Sequence, residues 1–193
     1  MKGITHSLGG VMSGVALVAC STPDLTTIEG IGTAVGAIGI ATLGSLLPDI
    51  DHQHSTISKK FRLLSFLYRI VSVLGKAFRL DVFEHRGVMH TLLVPIILLI
   101  SSFVVKDATI RYLLIAGLVG YLSHIILDGF NPMGVPLFSP FYNLKIRFLP
   151  KKICVRTGSA SELLVGSVLL LGIFLVGKPI IQMLYTNISY YLT

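Results

Sequence analysis

The 193-residue chain is 53% apolar and only 13% charged, a balance that one small soluble core cannot absorb, so lipid has to cover part of its surface. Its formal charge of +7 comes with no tryptophan and no aromatics alternating with the cations, which argues against nucleic-acid binding and for contact with anionic headgroups. Cys20 and Cys154 stand at distant, unpatterned positions and make neither a disulfide framework nor a thiolate metal site.

In chain order, apolar segments at 7–22, 30–47, 91–105, 111–127 and 161–177 each approach the ~20 residues that an untilted span requires. They predict an all-α, polytopic membrane helix bundle of about five spans, folded as a single integral membrane domain over 1–193. The first two segments are rich in Gly, Ala and Ser, which lets helix backbones approach closely in lipid. LVAC at 17–20 before Ser21 has the look of a bacterial lipobox, with cleavage ahead of Cys20 as its consequence. The reading preferred here is an uncleaved first span, because only Lys2 supplies positive charge in front of it. The last segment is expected to continue past Lys178 and Pro179 as a kinked helix.

Between the second and third spans, Ser58, Arg62, Ser65, Arg69, Ser72, Lys76 and Arg79 recur at spacings of three and four. That pattern predicts an amphipathic helix over about 58–80, lying in the headgroup layer or packed on the protein's own core. Lysine and arginine also set the orientation. The 21–29 loop has none, whereas Lys59, Lys60, Arg62, Arg69, Lys76, Arg79 and Arg86 fill the 48–90 loop. Lys145, Arg147, Lys151, Lys152 and Arg156 fill the 128–160 loop. The positive-inside rule therefore places the N-terminus and both long loops in the cytoplasm and the C-terminus outside.

The histidines and acids fall on that topology in a pattern. His6 precedes span one; Asp49, Asp51, His52 and His54 follow span two; His85, Arg86 and His90 precede span three. His124 and Asp128 close span four, and Glu162 opens span five. All of these positions lie at the inner ends of their helices, in one layer. There an ionisable side chain escapes most of the ~2.5–3.5 kcal/mol cost of mid-bilayer burial. His124 and Asp128 are i and i+4 on one helical face, so both reach a common ion. Imidazole with carboxylate is a zinc-type ligand set that manganese and iron also accept.

Plainer readings exist for single members. Pro48-Asp49 can end a helix, and Asp51 or Ser55 can cap the next. Ser159 to Glu162 fits a capping box, Arg86 can be a positive anchor, and His54 is the farthest from a helix end.

The ordered series of His6, LPDIDH at 47–52, HRGVMH at 85–90, SHIILDGFNPMGVPLFSP at 123–140 and TGSASE at 157–162 resembles the bacterial YdjM-like membrane proteins, known as membrane-bound metal-dependent hydrolases. Met89 stands where that family more usually has threonine, and so does Asn131, which bears on substrate positioning. More distantly the series is similar to zinc-dependent phospholipase C and the P1-type nucleases. By that resemblance His124, Asp128, Asp49 or Asp51, His85 or His90, and Glu162 would be metal ligands. His6 would fill the place of an N-terminal histidine ligand, and His52 stands in the same layer.

The resulting expectation is a metal-dependent hydrolase at the inner face of a bacterial plasma membrane, holding one to three divalent ions, zinc first among them. Asp49 or Asp51 would bridge ions or take a proton from water. Arg86 and Asn131 would meet the substrate, an as yet unspecified phosphoester of a lipid-like molecule. Membrane lipid and anionic headgroups are the expected partners. The alternative is a non-catalytic metal-binding membrane protein serving structure, sensing or transport.

Overall fold

The computed structural model describes residues 1–21, 23–51, 55, 57, 58, 62, 63, 65–68, 70, 88–139, 141, 142 and 144–192. The named α-helices are α1 (Gly3–Ser21), α2 (Ile28–Leu46), α3 (Leu93–Val104), α4 (Ala108–Gly129) and α5 (Ala160–Leu192). Short 3-10 turns stand at Leu47–Asp51, Val88–His90 and Lys151–Ile153. The protein is an all-α bundle; among the described residues the sole extended pairing is an isolated antiparallel bridge between Val135 and Ile146.

Helices α2, α4 and α5 begin where a short polar side chain satisfies one of the first backbone donors. Thr27 Oγ1 accepts from Gly30 N at 3.0 Å for α2, and Asp107 Oδ1 accepts from Ile110 N at 2.8 Å for α4. At α5, Ser159 Oγ accepts from Glu162 N at 3.4 Å, and Glu162 reaches back to Gly158 N rather than to Ser159 itself, a shifted form of the capping box.

Among the described residues, four helices are long and apolar enough to cross a membrane: Gly3–Ser21, Ile28–Ile50, Ala108–Gly129 and Ala160–Asn187. The third apolar segment forms a 12-residue helix, α3, about 18 Å long against a hydrocarbon core of about 30 Å. α5 continues without interruption through Pro179.

Helices α1, α2 and α4 pack on one another, α3 leans on α4, and α5 leans on α1. Lipid offers no hydrophobic drive for this association, so close backbone contact has to supply it. A Cβ at Gly120 would lie 1.9 Å from the Ala41 carbonyl oxygen, and one at Gly44 would lie 2.5 Å from that of Gly117. The α2 and α4 backbones therefore touch, with buried Ala37, Ala41 and Ala116 alongside. Large apolar side chains such as Ile97, Phe103, Leu171 and Phe174 point outward, as a bilayer-facing surface requires.

Only parts of the amphipathic segment are described, and those residues are helical. Ser55 Oγ accepts from Ser58 N at 3.2 Å, the capping role that its position suggests. Ser58 and Ser65 are buried and donate to the Ile50 carbonyl at 2.9 and 3.3 Å, whereas Leu63, Phe66, Leu67 and Ile70 are exposed. Ser58 and Ser65 thus face the protein, where they satisfy a carbonyl of the 47–51 turn, and the apolar side chains named face out. Arg69, Ser72, Lys76 and Arg79 lie outside the described residues.

The 130–159 connection folds back over the end of α4. Phe148 N donates to the Gly129 carbonyl, Val155 N to that of Phe130, and Leu92 N to that of Leu137, at 2.9, 2.9 and 3.0 Å. These bonds draw α3, α4 and the loop together at the end where the histidines gather.

Candidate metal centre

α4 presents Gly117, Tyr121, His124 and Asp128 along one face, and all four are buried. The small residues bring α2 close, so the last turn of α2 lies against His124. Ser45 is three residues ahead of Pro48, which has no N–H to donate into a 3-10 turn. The Ser45 carbonyl meets His124 Nδ1 at 2.7 Å. A carbonyl oxygen only accepts, so Nδ1 carries the proton and Nε2 of the neutral ring presents a lone pair.

That lone pair is buried and has no hydrogen-bond partner. It faces Asp49 Oδ1 at 3.9 Å and Asp128 Oδ2 at 3.8 Å. His90, at the end of the Val88–His90 turn, places Nε2 3.8 Å from each of the same two oxygens. Two imidazole nitrogens and two carboxylate oxygens thus alternate around a common point. At 3.8–3.9 Å the pairs are too long to be hydrogen bonds. Ligand atoms each about 2.0–2.2 Å from one ion sit at most about 4.4 Å apart, so each of these nitrogen–oxygen pairs has a separation that a shared ion could bridge.

His6 completes the cluster from α1. Its ring stacks on that of His124 with centroids 3.8 Å apart, and its Nε2 lies 3.4 Å from Asp128 Oδ1. The Met1 nitrogen lies 3.0 Å from that same oxygen. Among the described residues, two triads have the spacing of metal ligands, His6–Asp49–His124 and His90–His124–Asp128. They share His124, whose Nδ1 is taken by the Ser45 carbonyl. Asp49 has a side chain 23% exposed, against 0–3% for Asp128 and the three histidines, and it is the open edge of the cluster.

Of the residues read from sequence, the fold brings together His6, Asp49, His90, His124 and Asp128. Glu162 stands apart from both triads. It is buried, with Oε1 accepting from Lys2 N and from Thr5 Oγ1 at 3.0 Å, and Oε2 from Gly158 N, which clamps the start of α1 to the start of α5. Asn131 is buried in the turn after α4; its Nδ2 donates to Thr157 Oγ1 at 3.4 Å and its Oδ1 accepts from Met133 N at 3.3 Å. His52, His54, His85 and Arg86, and the side chain of Asp51, lie outside the described residues.

Sequence reasoning passed over three supports of the site. Ser45 orients His124 through its backbone, which no side-chain pattern reveals. Thr5 holds Glu162. Tyr121, fully buried, donates its hydroxyl to the Met89 carbonyl and so positions the turn carrying His90. Tyr121 sits three residues before His124 on the same helical face, a spacing that could have flagged it.

A family profile described as YdjM inner membrane protein matches residues 1–185. The uncharacterized protein YvsG of Bacillus subtilis (strain 168) is 36% identical over 86% of this chain and 87% of its own length. The inner membrane protein YdjM of Escherichia coli (strain K12) is 32% identical over 64% of this chain, a match spanning 61% of that protein. The Shigella flexneri protein of the same name shows the same identity and coverage. No solved structure matches.

Proposed function

Since the chain belongs to the YdjM inner membrane protein family, we propose that it is a membrane-embedded metal-dependent hydrolase whose centre is the cluster of His6, Asp49, His90, His124 and Asp128. The observation that carries this reading is the His124 Nε2 lone pair, buried without a proton donor and facing two carboxylates. Burying that arrangement without a cation is costly, and an ion held by nitrogen and oxygen offsets the cost. A zinc-type ion would supply Lewis acidity, making water a nucleophile near neutral pH and polarising the bond to be cleaved.

The residues divide the work by position. His124 is held in one tautomer by Ser45, the way that outer partners fix a ligating imidazole. His6 stacks on that ring and meets the far oxygen of Asp128, so it steadies both. Asp49, on the open edge, is where water and substrate arrive, and its carboxylate is the group placed to take a proton from water. The favoured substrate is a phosphoester of a lipid-like molecule at the cytoplasmic face, supported by the basic loops flanking the site. Arg86 is assigned by sequence to an anionic oxygen of that substrate, and Asn131 to its positioning.

The test uses the full-length protein in detergent. Elemental analysis is expected to find zinc or a similar divalent ion in the wild type, lost on chelation and in His124→Ala and Asp128→Ala. Hydrolysis of generic phosphoesters is expected to disappear with it while helicity persists. A chain that never binds a divalent ion would end the proposal. The second reading, an ion that serves structure alone, draws on the near-complete burial of His90, His124 and Asp128. It would be established by a metal-loaded wild type that turns over no phosphoester.

A further inference from the structure

A cleft of about 450 Å³ lies between the first turns of α1 and α5, within the ~300–1,000 Å³ typical of small-ligand sites. Its walls are Ile4, Leu8, Leu163 and Leu170, with Gly166 between them and Glu162 and Thr5 at one end. From Glu162 to Leu170 it follows two turns of α5, about 12 Å. Ile4, Leu163 and Leu170 are 69%, 73% and 55% exposed, so the cleft opens sideways to whatever surrounds the two helices. Both helices are long and apolar enough to cross a membrane, and Leu163, Leu164, Val168, Leu170 and Leu171 on α5 are exposed. The surrounding medium is therefore lipid.

The polar end carries one acid, Glu162, and one base, Lys2. Glu162 already accepts from two backbone N–H groups and the Thr5 hydroxyl. Lys2 lines the same end, and among the described residues no carboxylate lies within ion-pair distance of its ammonium group. An apolar slot running along the helices below a lone cation suits a molecule with an acyl chain and an anionic head.

We infer that this cleft is a phospholipid subsite, seating one acyl chain between α1 and α5 with an anionic headgroup against Lys2. The cleft and the cluster lie on neighbouring faces of α1, since Thr5 lines the cleft and His6, next in sequence, meets Asp128. The inference deepens the lipid-phosphoester reading and rests on it for its catalytic consequence, but lipid retention can be measured without turnover.

The experiment incubates purified full-length protein with equal amounts of phosphatidylglycerol and phosphatidylcholine and reads bound lipid by native mass spectrometry and bound metal by elemental analysis. Wild type is expected to retain one lipid, phosphatidylglycerol over phosphatidylcholine. A Cβ at Gly166 meets only Leu8, at 3.8 Å, so Gly166→Phe grows into the cleft itself. That variant, and Leu8→Phe from the opposite wall, are expected to lose the lipid and keep the metal. Lys2→Met is expected to lose the preference for phosphatidylglycerol. Lipid retained at the wild-type level in both phenylalanine variants, or a wild type without headgroup preference, would overturn the inference, whatever the metal and activity results.

Discussion

Pro48 and His124 illustrate how a backbone detail reaches the chemistry. The missing N–H of Pro48 leaves the Ser45 carbonyl available, and that carbonyl sets the tautomer of His124. Pro48→Ala offers a competing donor in the turn, so metal affinity is expected to fall by about 10–100-fold, the usual cost of losing a partner behind a ligand. Titration with a chelator-buffered metal checks this, and an unchanged affinity would detach Ser45 from the site. Glu162 makes the contrasting case. Glu162→Gln keeps one acceptor oxygen and loses the other, so stability is expected to drop by about 1–3 kcal/mol with metal content unchanged. Loss of the ion in a variant that stays folded would make Glu162 a ligand instead.

Among the helices, the contact of α2 with α4 decides whether Asp49 and His124 meet. Gly120→Leu forces these helices apart, because its Cβ alone would overlap the Ala41 carbonyl. Overpacking of this kind costs at least about 1–3 kcal/mol and is expected to disperse the ligands, read as a lower unfolding midpoint and loss of metal. Gly39 on α2 has nothing within 4 Å of its would-be Cβ, so Gly39→Leu is expected to leave both unchanged. Equal damage from the two substitutions would show that backbone proximity is not what assembles the site.

For the molecule as a whole, the distribution of lysine and arginine predicts that the N-terminus and the cluster face the cytoplasm. The C-terminus follows from α5, which starts against Lys2 and runs beside α1 in the same direction, with Gly166, Gly172 and Gly177 facing Leu8, Met12 and Val15. It therefore ends on the side opposite the N-terminus, and a C-terminal alkaline phosphatase fusion is expected to be active while a fluorescent-protein fusion stays dark. The reverse pattern would overturn the cytoplasmic placement of the cluster.

Much of this was legible from the chain because it is local. Runs of apolar residues locate α1, α2, α4 and α5 to within a few positions, since a bilayer imposes length and hydrophobicity on each helix separately. The i, i+4 relation of His124 and Asp128 follows from helical geometry alone. Helix rotation is not local. It was the meeting of Gly120 with Ala41 and of Gly44 with Gly117 that turned Asp49 toward His124, the Tyr121 hydroxyl on the Met89 carbonyl that set the turn carrying His90, and the clamp of Lys2, Thr5 and Gly158 that left Glu162 facing away. Ser58 and Ser65 faced inward for the same kind of reason, a carbonyl of Ile50 needing a donor. Periodicity says which residues share a face; only packing against a neighbour says which way that face looks.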